Sequence, residues 1–457
     1  MIDDTTRRSR WERLIDTAVP LWAVGLLVLT GAIVTILFGW ILTKPHRHGS
    51  LGVAARGIAE IPQTIGTLLS RPPSYRPAIE LPYKRLPGGL TRNTAQPFTD
   101  PGFLLVSDFD EARSRRVVRL IRLSDGKMVH DYAPDVEAIH AGSTFSSALI
   151  DLKRDKPNNR YFPMHPLLTE DGGLILHDTS PLTRVDACGK PEWMVDGIFH
   201  HAVERAPDGS YWAAFREPKS TRQGVSPNFA DESILQVASD GKILHRESVI
   251  DILDRNGLGH LWRGHPYNDD PIHLNDIQPV LVSGPHWQRG DLFLSLRNLS
   301  TVMLYRPSTG RILWHRSEPW LFQHDVSIVD DHRISVFDNH WRFAWDQPEQ
   351  AEVDGNNHVL VYDFASDTIS DPLAGALKRL DFHTRAQGRA TPLANGDFML
   401  EETEYGRVLR VAPDGTVRWR YIAADSAQRR YELRWSRYLD TIADGIGIQA
   451  AEKAKCA

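Results

Sequence analysis

At 457 residues the chain exceeds an ordinary single domain, a length that repeat architectures and large all-β folds reach as one unit. Its 53 Lys and Arg against 58 Asp and Glu give a formal charge of -5, which excludes the concentrated basic face of a phosphate-backbone binder, so nucleic acid is not an expected partner. The two cysteines, Cys188 and Cys456, stand one among the repeats and one at the extreme C-terminus, and offer neither zinc-ligand spacing nor a readable disulfide framework.

Val19 to Leu42, VPLWAVGLLVLTGAIVTILFGWIL, carries no charge and is long enough to cross a bilayer as one helix, with Trp22 and Trp40 as interfacial anchors near its ends. Arg7, Arg8, Arg10 and Arg13 precede it, whereas only Lys44 and Arg47 follow closely. That asymmetry predicts a cytoplasmic segment 1–18, a span at 19–42 and the bulk of the chain outside the cytoplasm. The competing reading is a cleaved signal peptide, but the run is longer than a signal core and no small-x-small site follows before Lys44. The expectation is an uncleaved single-pass anchor in the cell membrane, its soluble part outside the cytoplasm. Residues 43–101 are rich in Pro and Gly (RPPSYRP at Arg71, LPGG at Leu86) and read as a linker. Within it VAARGIAEIPQTIGTLL from Val53 is weakly amphipathic, with Pro62 arguing against one long helix.

From 102 to 422 one grammar repeats: a strand, an Asp/Asn-Gly turn, a second strand and a closing strand that often ends in an aromatic. FLLVS leads to VVRLIRLSDGKMVHDY, GGLILHDTS to PLTRVDACGKPEWMV, DGSYWAAFRE to SILQVASDGKILHRE, and GDLFLSLRN to TVMLYRPSTGRILWHR. RISVFDNH then leads to NHVLVYDFASDTI, and NGDFMLEE to GRVLRVAPDGTVRWRY. Short strands at a period of roughly 40 to 60 residues predict an all-β, six-bladed β-propeller rather than a sandwich or barrel. Residues 423–457, with RRYELRWSRYLDTIADGI, read as a C-terminal surface helix and tail.

The unit Phe322 to Asn339, FQHDVSIVDDHRISVFDN, alternates apolar residues around an Asp-Asp turn and opens on His324. Other copies carry histidine near the same place: MHPLLTEDGGLIL from Met164, HHAVERAPDGSYW from His200 and HLNDIQPVLVSG from His273. First strands of propeller blades line the channel, so His165, His201, His273, His324 and, in the last copy, His383 with Gln387 and Arg389 are expected to converge, joined by Asn275 and Arg297. Trp314 and Trp419 read as core between blades. Phe322 and Trp320 read either as core or as a stacking surface for an aromatic ligand.

HLNDI at His273, LFLSLRNLSTVMLYRPSTGRILW at Leu292, FQHDV at Phe322 with VFDN at Val336, and ANGDFMLEETEYGRVLRV resemble the bacterial arylsulfate sulfotransferases over most of Phe103 to Tyr421. That resemblance implies a periplasmic propeller without nucleotide cofactor, an aryl sulfate donor and a phenolic acceptor. It implies sulfuryl uptake by His324, supported by His201, His273 with Asn275, and Arg297. The helper that the family carries downstream of the nucleophile has no clear match between Arg385 and Thr391, and the anchor stands where the family has a cleaved leader.

The chemistry suits these residue types. Sulfuryl transfer places charge on peripheral oxygens, so catalysis is mainly positioning and electrostatic stabilisation. The fork of Arg297 can bind two oxygens, the Asn275 amide can donate another hydrogen bond, and a neutral His324 nitrogen is a competent nucleophile. His201 or His273 would handle the proton of a phenol whose pKa is about 10. Asp325 should point away from the nucleophile as a structural acceptor. Two alternatives stay open: a metal-dependent hydrolase built on the channel histidines, and a catalytically degenerate propeller serving as an anchored binding or assembly module. In the latter case the anchor and the C-terminal stretch would meet a second copy or a membrane partner.

Overall fold

Period-two apolar residues around polar turns produce the strands. In Val326–Ile328 and Arg333–Asp338, Val326 pairs with Val336 and Ile328 with Ile334, which puts Val326, Ile334 and Val336 wholly inside. The intervening turn is closed by Asp330, whose Oδ1 accepts the amides of His332 at 3.1 Å and Arg333 at 2.9 Å. At Cys188-Gly189 the turn needs glycine, since φ is +82° and a Cβ would stand 2.7 Å from the Ala133 carbonyl oxygen.

The computed structural model describes residues 20–43, 45–70, 87–146, 151–218, 220–226, 228–264, 268–343 and 351–456. The chain divides into two units, Met1–Pro72 and Pro73–Ala457. In the first, the helix Leu21–Thr43 has 23 residues, none charged, with a mean hydropathy of 2.4 over its most apolar window. At 1.5 Å per residue it is about 34 Å long, enough for a hydrocarbon core of about 30 Å. Its hydroxyls are satisfied within the helix, Thr30 donating to Leu26 O and Thr35 to Gly31 O, each at 2.8 Å. Arg7, Arg8, Arg10, Arg13 and the rest of segment 1–18 lie outside the described residues. A second helix, Gly49–Ser70, runs through Pro62, where a break was expected. Proline removes the amide that would bond the Ile58 carbonyl, and Ile58 is exposed, so solvent can satisfy that oxygen.

The second unit is a six-bladed propeller of four-stranded antiparallel sheets. In chain order from the second blade, the sheets are Met164–Leu168 to Pro191–Val195, Ile198–Arg205 to Ile243–Ser248, Leu274–Pro279 to Arg311–Arg316, and Val326–Ile328 to Thr368–Ser370. The sixth runs from Arg389–Pro392 to Val417–Ile422. A small hairpin, Trp341–Phe343 with Ala351–Val353, is inserted in the fifth. The first strands of successive blades adjoin one another as an inner ring. Apolar clusters fill the spaces between blades, such as the one joining Trp212 and Ile234 to Leu274 and Leu294.

Both flanks of the repeat region differ from expectation. Gly89–Arg92, within the expected linker, forms a fifth strand on the sixth blade, Thr91 opposite Arg420. The C-terminal stretch is not a surface helix: Arg437–Leu439 pairs with Phe103–Leu105 and supplies the innermost strand of the first blade. Tyr431, Leu433 and Trp435 are buried at period two, a strand spacing, and the helix there is the shorter Gly445–Lys453. Beyond it Cys456 is bonded to Cys188 in the second blade, across 268 residues of sequence.

That bond pins the end of the segment that closes the ring. Cys456→Ser should lower the unfolding free energy by about 3 kcal/mol. Urea denaturation checks this, and reductant should bring the wild-type protein to the level of the variant.

Candidate active site in the propeller channel

A non-glycine residue with left-handed φ stands within, or up to four residues before, each innermost strand: His165 (+42°), His201 (+54°), His273 (+53°), Phe322 (+54°), Gln387 (+59°) and Trp435 (+55°). Such residues cost free energy and gather where side chains must be aimed against the regular pleat. The histidines therefore occupy two phases of the repeat rather than one. His165, His201 and His273 take the left-handed place, whereas His324 stands two residues past Phe322, as Asn275, Arg389 and Arg437 do in their blades.

His201, His273 and His324 nevertheless meet. The ring of His201 lies 5.1 Å from that of His273 and 5.5 Å from that of His324, between centroids. His324 is 1% exposed and held at both nitrogens. The Gln387 amide donates to Nε2 at 3.0 Å, so the proton sits on Nδ1, which donates to Asn339 Oδ1 at 2.6 Å. Asn339 also donates through Nδ2 to the carbonyl oxygens of Gln387 at 2.8 Å and Thr384 at 3.1 Å. One asparagine thus bonds Nδ1 of His324 and braces the Thr384–Gln387 turn whose amide faces its other nitrogen. Burial, and then the Arg297 charge, hold the His324 pKa well below the usual imidazole value.

Asn275 is fully buried and donates to the Gln323 carbonyl oxygen at 2.8 Å, bracing the residue before His324. Arg297 ends the strand Leu292–Leu296, and its amide donates to the His273 carbonyl oxygen at 3.1 Å. Its guanidinium donates to Asn298 Oδ1 at 2.7 Å and lies over two aromatic faces, 4.4 Å from the Trp341 centroid and 5.3 Å from that of Phe322. No carboxylate lies within 4.0 Å of it among the described residues, and its buried Nε has no hydrogen-bond partner there. Burial lowers its pKa to about 10. A half-buried cation with no carboxylate in direct contact, Asp270 acting on it only through space, stands beside the imidazoles and can receive an anion.

Two carboxylates flank the histidines. Asp270 Oδ2 is 2.5 Å from His273 Nδ1, and Glu232 Oε2 is 2.7 Å from His200 Nε2. His200 Nδ1 lies 3.0 Å from His201 Nδ1. Burial disfavours a charge on both rings. For His201 the neighbouring His273, His200, His324 and Arg297 deepen that effect, whereas for His200 the charge of Glu232 reverses it and the pKa rises.

The remaining expected channel residues go elsewhere. His165 is wholly buried and hydrogen-bonded to Arg389, which lies 3.3 Å from both Asp325 and Glu204. The Trp435 indole stands edge-on to His165 at 5.1 Å and to His201 at 5.7 Å. Asp325 accepts the Ala390 amide at 3.0 Å, and burial raises its pKa to about 6. His383 does not join the cluster. It lies 3.4 Å from Asp381 and edge-on to Tyr405. Gln387 enters through its backbone amide, and Trp320 is core. The carboxylate partners, Asn339, Trp341 and Trp435 were missed. Only Asn339, in the VFDN motif, left a sequence signal. Among the described residues the histidine nitrogens do not form a ligand set within 4.8 Å; the group that does, Asp330, Asp331 and His332, is a partly exposed turn.

No curated protein matches the sequence. Among solved structures, a protein of unknown function from Bacteroides caccae aligns at 12% identity and a TM-score of 0.46, over 74% of this chain and 99% of its own. Hydrazine synthase from Kuenenia stuttgartiensis aligns at 12% and 0.40 over 71% and 80%, and virginiamycin B lyase from Staphylococcus aureus at 12% and 0.34 over 58% and 72%. Likenesses at these scores say nothing about chemistry. The sequence comparison with family models does: residues 168–424, more than half of the chain and including all four blades that carry His201, His273, Arg297, His324 and Gln387, match the arylsulfotransferase (ASST) model, and the chain belongs to that family.

Proposed function

We propose that this protein is a membrane-anchored sulfotransferase that moves a sulfuryl group from an aryl sulfate to a phenol through a sulfohistidine at His324. The observation that carries this reading is Arg297, a half-buried guanidinium with no carboxylate in contact among the described residues, set beside an imidazole whose proton is fixed on Nδ1. Arg297 takes up the sulfate oxygens, and Phe322 and Trp341 keep its guanidinium in plane while offering apolar surface to an aryl ring. His324 Nε2 attacks sulfur, and the ester O–S bond breaks with its electron pair on the phenolate, which takes a proton. The Gln387 amide gives up Nε2 as the N–S bond forms and is left beside the transferred group, a donor for a sulfuryl oxygen. Asn275 acts through the Gln323 carbonyl, as a brace. A phenol acceptor then attacks the same sulfur, loses its proton and restores His324.

The helix Leu21–Thr43 supports an inner-membrane anchor, and the Cys188–Cys456 bond supports a propeller in the oxidising periplasm, since cytosolic proteins rarely keep disulfides.

An aryl sulfate supplied without acceptor should leave an acid-labile sulfuryl group on the tryptic peptide containing His324, and a phenol should discharge it. Because the His324 pKa is depressed, the ring stays neutral as the pH falls through the ordinary imidazole range, so loading by an activated donor should persist below about pH 6.5. His324→Asn should abolish labelling; labelling of another histidine would move the nucleophile.

Arg297→Lys should lose about 10²-fold or more in kcat/KM while the fold survives by circular dichroism, because an ammonium cannot make the two-point contact. Near-normal turnover would remove Arg297 from the site.

Protease added to spheroplasts should digest the propeller. Full protection after Gly49, with the inner membrane intact, would overturn the topology.

A further inference from the structure

We infer that Glu232, His200 and His201 form a proton relay, in which the His200–Glu232 pair stores the proton taken up by the leaving phenolate and returned by the acceptor phenol. The inference rests on the sulfotransferase reading of this site. Adjacent residues of a regular strand face opposite sides of a sheet, yet His200 and His201 meet through their Nδ1 atoms at 3.0 Å. The cause is local: His201 has φ of +54° within a register shift opposite Ala213 and Phe215, which spoils the alternation and brings both rings together.

Two Nδ1 atoms at that distance need one proton between them, since two bare lone pairs repel and two protons clash. His200 Nε2, 2.7 Å from a Glu232 oxygen, carries a proton in either case. In one state His200 is an imidazolium that donates from Nδ1, and His201 carries its own proton on Nε2. In the other, His201 donates from Nδ1, His200 is neutral, and His201 Nε2 is bare. The states differ by one proton. On donor cleavage, His201 Nε2–H passes to the phenolate oxygen while His200 Nδ1–H passes to His201 Nδ1. On acceptor attack both transfers reverse, and the cycle closes without any outside acid or base.

The store belongs on His200 because of what faces each ring. His201 looks onto His273, His324 and Arg297, none of which welcomes a second cation. His200 faces Glu232 and Asp270, which favour its charge, and Arg216, which opposes it; His201, His273 and His177 complete its surroundings. Glu232 is 2% exposed, so its charge is little screened.

The test is single-turnover loading of His324 in the full-length protein by two donors. Phenyl sulfate needs a proton on departure, whereas 4-nitrophenyl sulfate leaves as a stable phenolate. Glu232→Gln should slow loading by phenyl sulfate about 10²-fold and loading by 4-nitrophenyl sulfate far less, because general acid catalysis matters only for the poorer leaving group. The pH at which phenyl sulfate loading declines should also move down, since without Glu232 the His200 proton is lost earlier. His200→Asn should reproduce the donor-dependent split, and it decides the matter if Glu232→Gln does not fold. Equal slowing for both donors, or none, would overturn the relay. Failure of the wild-type protein to load with either donor would instead overturn the sulfotransferase reading.

Discussion

A propeller is a ring, and closing it is the constraint on which everything else in this molecule depends. On or beside the inner strands of the six blades, Arg437, His165, Glu204, Asp276, Asp325 and Arg389 are buried. Arg437 meets Glu204 at 2.9 Å, Arg389 meets Glu204 and Asp325, and Asp276 accepts the Val326 amide at 2.8 Å. Burying so many charges is tolerable only if every one is matched. Burial and the charge of Asp325 push Asp276 well above the usual carboxylate range, towards the neutral acid that would leave two carboxylates facing two guanidiniums. Remove the strand Arg437–Leu439 and Glu204 loses a partner while the first blade loses its inner edge.

At Arg297 the balance is incomplete. Arg389, Arg407, Arg410 and Arg437 each have a carboxylate, whereas Arg297 has aromatic faces and an amide oxygen. Its position nevertheless has little slack: Asn298 links it to the Asp270 carbonyl, and Asp270 holds His273. Imidazoles close together in a buried site cannot all be charged: burial and the Arg297 charge keep His324 neutral, whereas His200, which has Glu232, is the ring whose charge is favoured. In the proposed mechanism that same separation divides the nucleophile from the proton carrier.

Much of this was written plainly in the chain. The uncharged run before Thr43, the alternation around Asp-Gly turns and the six copies of the unit each express a local rule: a bilayer needs an unbroken apolar helix, and a half-buried strand needs period two. His201, His273, His324, Asn275 and Arg297 were legible because they sit at repeat positions and match the family motifs. The phase was not. A left-handed residue in or just before each inner strand slips side chains off the simple alternation, so His324 and His201 meet from different places in the repeat, and His383 falls outside. Trp435 and Arg437 were misread with their segment because a short period-two run, flanked by charges, looks helical until a partner strand is known.

By itself, the sequence determined the class of fold, the long uncharged N-terminal helix and which side chains could do chemistry, since those follow from composition and spacing along neighbours. Only the tertiary structure decided which of them share a site, which nitrogen of His324 is basic, that Glu232 stands behind His200, and that Cys188 reaches Cys456. Those facts join residues tens to hundreds of positions apart, and no local pattern encodes the distance between them.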